Sequence, residues 1–210
     1  MKLIALSASI VLATSIMGCA SPERSRNMAN PSASAQTLAE QVCSNCHGLD
    51  GNSVSPNFPR LAAQQKNYLV AQLKGFRSHN RADPAGFEYM WGLSRSLSDS
   101  QIDGLADYYL RQKPLPVTTA DNTRVVLGRD LFQQGIPAQN VPACASCHGA
   151  EGKGSDQFPR LASQHANYLV KQLTVFQRTD ERPEGSVMKV VAHGLTLSDM
   201  EHVAAYLQTR

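Results

Sequence analysis

The 210-residue chain lacks three features that would narrow its class at once: a strong net charge, a disulfide framework and strand periodicity. Lys and Arg exceed Asp and Glu by only three charges, which argues against nucleic acid as a partner. Four of the five cysteines form two closely spaced pairs and Cys19 stands alone, so no pair is left over for a disulfide. No segment alternates apolar and polar residues as a strand would. We therefore expect an all-α protein.

The same short motif occurs twice, as Cys-Ser-Asn-Cys-His at 43–47 and Cys-Ala-Ser-Cys-His at 144–148, each followed by glycine. C-x-x-C-H is typical of covalent c-type haem attachment, in which two thiols form thioethers and the histidine binds the iron. The motif predicts two c-type haems, one on Cys43 and Cys46 and one on Cys144 and Cys147. Their propionates would bring the holo-protein close to neutral, which again excludes a nucleic-acid partner.

Two other sites use cysteines with this spacing, namely a structural zinc site and a thioredoxin-like redox pair. Zinc would need the two pairs to converge on one ion and would leave His47 and His148 unexplained. A redox pair needs a strand followed by a helix, which the flanking residues do not offer. Haem with His47 and His148 as axial ligands is the preferred interpretation.

A longer repeat surrounds each motif. Residues 58–62 and 158–162 both read Phe-Pro-Arg-Leu-Ala, and residues 67–70 and 167–170 both read Asn-Tyr-Leu-Val. A repeat of this length indicates a tandem duplication of one domain. We predict domain 1 at 36–111, domain 2 at 125–210 and a proline-containing linker at 112–124.

Each half has the pattern of several helices. A helix should precede each motif, from Val125 to about Gln134 in the second half, and another should follow the loop after it. The last helix of the first half should begin at Ser98, which forms a capping box with Gln101. Its buried stripe consists of Ile102, Leu105, Ala106 and Tyr109. The equivalent stripe of the second half consists of Met200, Val203, Ala204 and Leu207.

The N-terminus has the pattern of an export signal. Lys2 precedes a mainly apolar run that is too short to span a bilayer, so residues 1–18 are predicted to be a signal peptide. Cys19 follows a glycine, as in bacterial lipoproteins, and is the predicted lipidation site; residues 19–35 would then form a flexible tether. Ordinary cleavage after Ala20 and an uncleaved anchor are the alternatives. The predicted location is periplasmic, at a membrane surface.

The sixth ligand of each iron must come from distant sequence. Met90 and Met188 stand at equivalent positions before the last helix of each half, and a thioether raises the reduction potential of haem iron. The alternative is that both are core residues. His79, His165, His193 and His202 have no histidine at the equivalent position of the other half and are interpreted as surface or minor packing residues. Arg60 and Arg160 either pair with haem propionates or are solvated.

The chain resembles the dihaem cytochromes c of the c4 type from Gln36 to Arg210. The two C-x-x-C-H-G segments, the Val-Pro-Ala-Cys segment at 141–144, the Pro-Arg-Leu-Ala segments and the two methionines carry the resemblance. It implies two class I cytochrome c domains about a pseudo-two-fold axis. It also implies that Pro59 and Pro159 offer their carbonyls to the iron-binding histidines. The lipoprotein-like start departs from the family pattern.

The resemblance implies a respiratory carrier between a quinol-oxidising cytochrome bc complex and a terminal oxidase or periplasmic reductase. The residues alone support only an exported two-haem one-electron carrier. Two further classes stay open: a dihaem peroxidase, which would need a displaceable distal ligand, and the electron-accepting subunit of a dehydrogenase. Paired methionines at the sixth positions argue against the peroxidase.

Overall fold

The computed structural model describes residues 27–116 and 121–210, and within these ranges it is helical without a β-strand. The predicted all-α class is confirmed. Among the described residues, no helix combines the length and the apolar character needed to cross a membrane. The first half contains α1 (Ala35–Leu38), which continues through a π-helical turn (Ala39–Cys43) into α2 (Ser44–His47), then α3 (Lys66–Arg77), a second π-helical turn (Gly86–Met90), α4 (Trp91–Ser94) and α5 (Asp99–Leu110).

Over residues 121–210, the second half also has five α-helices and two short turns, but its turns are 3-10 and not π-helical. It contains α6 (Asn122–Gln134), a 3-10 turn (Pro137–Gln139), α7 (Ala145–His148), α8 (Ala166–Arg178), a 3-10 turn (Pro183–Gly185), α9 (Ser186–His193) and α10 (Leu197–Gln208). Helix α6 begins at Asn122, earlier than the predicted Val125, because the Asp121 carboxylate caps it by accepting from the backbone N–H groups of Thr123 and Arg124.

The last helix of each half begins and packs as its sequence predicts. The Ser98 hydroxyl accepts from the Gln101 N–H at 3.2 Å, and the Gln101 side chain accepts from the Ser98 N–H at 3.0 Å. Thr196 and Asp199 form the same capping box on α10. The predicted apolar stripes of both helices are buried. Burial of these stripes, at roughly 25 cal/mol per Å² of apolar surface, holds each last helix on its domain.

In each half, the first and last helices approach closely at a glycine. This glycine lies on the last helix of the first half but on the first helix of the second half. Gly128 of α6 faces the His202 backbone in the second half, whereas Gly104 of α5 faces Ala35 in the first. Each half encloses its own cluster of buried apolar residues, built around Ile102 and Leu105 in the first and Phe132 and Met200 in the second.

The part of the tether that the structure describes is packed on the first domain. Ala33 is buried, Met28 packs against the core, and the Gln101 amide donates to the carbonyls of Asn30 and Ala33, each at 3.0 Å. The prediction of a flexible tether up to residue 35 is therefore wrong for its last residues, because Gln101 binds their backbone. The signal peptide and Cys19 lie outside the described residues, as do residues 117–120 of the linker.

A buried polar network joins the two halves. The Arg81 guanidinium forms an ion pair with Asp83 at 2.9 Å, with side-chain exposures of 4% and 0%. Arg182 donates to Gln72 of the first half at 2.8 Å, and Gln172 donates to Asp83 at 3.1 Å. Because charged and amide groups satisfy each other across the boundary, the halves are held in one fixed arrangement.

His165 belongs to this boundary and not to the surface. It is buried, and its Nε2 lies 2.9 Å from both the hydroxyl and the carbonyl oxygen of Ser53 in the first half. The expectation that it is a surface or minor packing residue is therefore wrong. Its partner position in the first half is Gln65, which donates to the Lys153 carbonyl at 2.9 Å, so both residues of the pair reach across the boundary.

Candidate haem-binding sites

Both C-x-x-C-H motifs lie on a single helical turn. Cys43 ends the π-helical turn and Cys46 and His47 lie on α2, while Cys144 caps α7 and Cys147 and His148 lie on it. Cysteines three positions apart in a helix project from the same face. Each turn therefore presents two thiols and an imidazole within one short segment.

Each of these histidines is held by a proline of the loop that follows. His47 Nδ1 lies 2.8 Å from the Pro59 carbonyl oxygen, and His148 Nδ1 lies 3.0 Å from that of Pro159. The Nε2 atom of neither histidine has a hydrogen-bond partner within 27–116 and 121–210. With Nδ1 donating to a carbonyl, Nε2 carries the lone pair that a metal requires.

The loops bend back because of a glycine in each. Gly51 has a φ of 74°, and its carbonyl accepts from the N–H groups of Leu61 and Ala62 at 2.7 and 3.2 Å. Gly152, with a φ of 67°, accepts from Leu161 and Ala162 at 2.8 and 2.9 Å. Positive φ is easily adopted by glycine and poorly by other residues. These bonds close the loop and place the proline carbonyl over the histidine.

Burial favours the neutral forms of the predicted ligands. It lowers the pKa of His47 and of His148, against the opposing effect of the proline carbonyls. It also raises the pKa of the Cys43 and Cys144 thiols to about 11. A neutral imidazole is the form that binds iron, and an uncharged thioether suits an apolar setting. The donor set therefore fits a covalently attached haem in each half.

Tyr109 lies near Cys43 of the first haem-attachment motif, which the sequence does not predict. Its buried hydroxyl has no hydrogen-bond partner in the described ranges, and burial, followed by the proximity of Cys43, raises its pKa. The sequence predicts only that it belongs to the buried stripe of α5. The repeat gives no signal of a further role, because the equivalent position of the second half is Leu207.

The two methionines are partly buried and lie outside both apolar clusters, unlike Met200, which is in the core. Met90 ends the second π-helical turn, whereas Met188 lies on α9. In the first half, the Phe58 ring lies 6.3 Å from the His47 ring and 5.9 Å from that of Tyr89, which precedes Met90. The local structure thus differs between the two methionines, although their positions in the repeat are equivalent.

The arginines after the prolines are engaged by the protein and are not simply solvated. Arg60 donates to the Ser163 carbonyl of the other half at 3.0 Å and to the Leu115 carbonyl, while Arg160 Nε donates to the Ala162 carbonyl at 3.1 Å. Arg60 Nε is buried and has no hydrogen-bond partner in the described ranges. A buried donor without an acceptor is unfavourable, so this atom suits a haem carboxylate.

The remaining three histidines form no hydrogen bond or ring contact with the motif residues in the described ranges. The His79 ring stacks on the Trp91 indole at a centroid distance of 4.1 Å and is exposed. His193 is exposed and His202 is half-buried. Across the described ranges, no three His, Cys, Asp or Glu side chains come together as metal ligands, so the two thiol pairs do not converge as a zinc site would require.

A family model described as cytochrome c matches this chain twice, over residues 32–112 and 125–210. The chain belongs to the cytochrome c family. It is 39% identical over 169 residues to cytochrome c-552 of Acidithiobacillus ferridurans, covering 80% of this chain and 73% of that protein. It is 37% identical over 180 residues to cytochrome c4 of Pseudomonas aeruginosa, covering 84% and 87%.

A solved structure of this kind matches the tandem arrangement. Reduced recombinant cytochrome c4 from Pseudomonas stutzeri aligns with a TM-score of 0.75 at 38% identity, over 83% of this chain and 96% of that one. The thiosulfate dehydrogenase electron acceptor of Stutzerimonas stutzeri is also similar, at 33% identity over 80% of this chain and 78% of that protein. This cytochrome is therefore of the dihaem c4 type, has two covalently bound c-type haems and carries electrons.

Proposed function

We propose that this cytochrome is an exported one-electron carrier of a respiratory chain and not an enzyme. His47 and Met90 bind one haem iron, and His148 and Met188 bind the other. The four cysteines of the motifs form the thioethers. When bound, each haem supplies a reversible one-electron couple. The cysteines would attach the group, and the histidine and methionine of each half would bind its iron and exclude other ligands.

The observation that supports this proposal most strongly is the hydrogen bonding of His47 and His148. Each is buried, donates from Nδ1 to a proline carbonyl and leaves Nε2 free. A second observation is that Met90 and Met188 are left out of the apolar cores, which supports ligation over core packing. With a histidine and a thioether on each iron, no position is open for peroxide, and the potential is raised to that of a carrier.

Further residues have roles in this proposal. Pro59 and Pro159 fix the tautomer and the orientation of the axial histidines. Arg60 and Arg160 pair with haem propionates, a role that the unpartnered Nε of Arg60 supports more directly than any atom of Arg160. The predicted domains, 36–111 and 125–210, would then each contain one haem, joined by the segment 112–124.

The proposed location is the periplasm, with the protein held at a membrane by lipid on Cys19. Residues 1–18 would be removed, and the acyl chains on Cys19 would provide stable anchoring. Because residues 27–35 pack on the first domain, only the segment between Cys19 and residue 26 would act as the tether.

The proposed redox partners are a quinol-oxidising cytochrome bc complex as donor and a terminal oxidase or periplasmic reductase as acceptor. A second candidate role, as the electron acceptor of a periplasmic dehydrogenase, is supported by the similarity to a thiosulfate dehydrogenase electron acceptor.

The test compares two donors for the purified holo-protein. Reduction is followed optically with quinol and a cytochrome bc complex, and separately with thiosulfate and a thiosulfate dehydrogenase. The respiratory role predicts faster reduction by the bc complex and reoxidation by an oxidase. Faster reduction by the dehydrogenase would favour the second role. Turnover of peroxide by the wild-type protein would contradict both.

A further inference from the structure

Two glutamines cross the boundary between the halves in a reciprocal manner. Gln164 Oε1 accepts from the Arg60 N–H at 2.8 Å, and its amide nitrogen donates to the Arg60 carbonyl at 2.9 Å. Gln64 Oε1 accepts from the Arg160 N–H at 2.6 Å, and its amide nitrogen donates to the Arg160 carbonyl at 2.9 Å. Each glutamine thus binds the backbone of the opposite half through both ends of its amide.

These bonds end on the peptide groups that hold the axial histidines. The carbonyl that accepts from His47 and the N–H that donates to Gln164 belong to one peptide group, the bond between Pro59 and Arg60. In the other half, the peptide between Pro159 and Arg160 likewise joins His148 to Gln64. One planar peptide is therefore all that separates each histidine from a glutamine of the other domain.

A peptide group that donates from its N–H becomes a better acceptor at its carbonyl, because hydrogen bonds in series polarise one another. Solvent has little access to these bonds, since Gln64 and Gln164 are each only 5% exposed. A stronger acceptor at Nδ1 makes the other ring nitrogen more basic, and a more basic axial ligand stabilises the oxidised iron.

We propose that Gln164 tunes the haem of the first half through His47 and that Gln64 tunes the haem of the second half through His148. Both glutamines are positioning residues, and the proposal rests on the proposed ligation of iron by the two histidines. Each haem then has a reduction potential that depends on the presence of the other domain, although no side chain of that domain need touch it.

The competing explanation is that the glutamines only hold the two halves together. The chain offers a matched control for this structural role. Gln65 also crosses the boundary, donating to the Lys153 carbonyl at 2.9 Å. That contact does not involve either of the two proline–arginine peptides. Gln65→Ala therefore removes an interdomain hydrogen bond without removing the acceptor from either peptide N–H.

The experiment measures the Nδ1–H resonances of His47 and His148 in the reduced holo-protein labelled with ¹⁵N-histidine, together with both reduction potentials. Gln164→Met removes the acceptor and keeps a similar volume. The Nδ1–H signal of His47 should move upfield and the potential of the first haem should rise, with His148 unchanged. Gln64→Met should produce the mirror result, and Gln65→Ala should move neither signal.

Equal shifts at both histidines, a shift confined to the mutated domain, or no shift would overturn the proposal. If Gln164→Met does not fold, Gln164→Glu serves instead, because its carboxylate retains the acceptor and strengthens it. The His47 signal should then move downfield, and an unmoved signal would count against the coupling. Ligation itself is checked in the wild type by the haem ring-current shift of the His47 ring protons, so failure of the proposed function is recognised separately.

Discussion

Replacing Gly128 with alanine tests whether the close approach of α6 and α10 holds the second domain together. An added Cβ would lie 1.9 Å from the His202 carbonyl oxygen and 2.5 Å from its carbonyl carbon. Both are backbone atoms of α10, so no rotamer change can relieve the clash. The two helices would have to move apart.

The size of this movement sets the free-energy cost. A carbon and a carbonyl oxygen approach to roughly 3.3 Å, so the helices must separate by roughly 1 Å or more. A gap of roughly 0.5–1 Å forfeits about a quarter to a half of the dispersion energy of each affected contact. Overpacking of this kind destabilises by about 1–3 kcal/mol, and a clash with backbone belongs at the upper end. Alanine regains about 1 kcal/mol of helix propensity, so we expect a net loss of about 2 kcal/mol.

The matched control is Gly92→Ala on α4, where an added Cβ meets no atom within 4 Å. This variant should be as stable as the wild type or slightly more stable. Urea denaturation of the holo-proteins, followed by far-ultraviolet circular dichroism, measures the difference as a shift in midpoint at an unchanged slope. A Gly128→Ala midpoint equal to that of Gly92→Ala would refute the reasoning, because it would show that the helices are not in backbone contact.

Three further predictions concern charge and anchoring. Asp83→Asn leaves the Arg81 guanidinium buried without its counter-charge and should lower the free energy of unfolding by about 3 kcal/mol. Glu184→Gln changes a carboxylate that is 30% exposed and should lower it by about 1 kcal/mol or less in the same urea assay. Burial alone would raise the pKa of Asp83, but Arg81 holds it below its usual value. The stabilisation by this ion pair should therefore be complete above about pH 4 and be lost as the pH falls through the lowered folded-state pKa. An Asp83→Asn variant with the same acid dependence of stability as the wild type would exclude this cause. Cys19→Ser should release the protein from the membrane fraction with an unchanged haem spectrum, and wild-type protein found wholly soluble and beginning at Ser21 would show ordinary cleavage instead.

The features that the sequence revealed are those fixed by short-range chemistry. The Ser98 capping box and the stripe that follows it depend on residues within one or two helical turns, so their spacing was sufficient. The two C-x-x-C-H motifs were equally local. The family resemblance implies that Pro59 and Pro159 offer their carbonyls to the histidines, and the structure places each carbonyl on its histidine.

The features that the sequence did not reveal depend on the packing of one half on the other. The absence of a histidine at the equivalent position predicts that His165 is a surface or minor packing residue, yet it binds Ser53 across the boundary. The tether residues near Ala33 looked unstructured by composition, but the Gln101 amide binds their carbonyls. Gln64 and Gln164 follow the two Pro-Arg-Leu-Ala segments at equivalent positions, but this repetition does not predict that each binds the backbone of the opposite half.

The claim that each iron has its own histidine and methionine is tested most directly by the long-wavelength sulfur-to-ferric-iron absorption band of the oxidised protein. Met90→Ala and Met188→Ala should each keep both haems attached, because the thioethers are untouched, and each should remove about half of the band. Each should also allow carbon monoxide to bind at one haem of the reduced protein. A Met90→Ala variant with the full band and no carbon monoxide binding would contradict the account, because the first haem would then have another axial ligand, with His79 the nearest candidate in sequence.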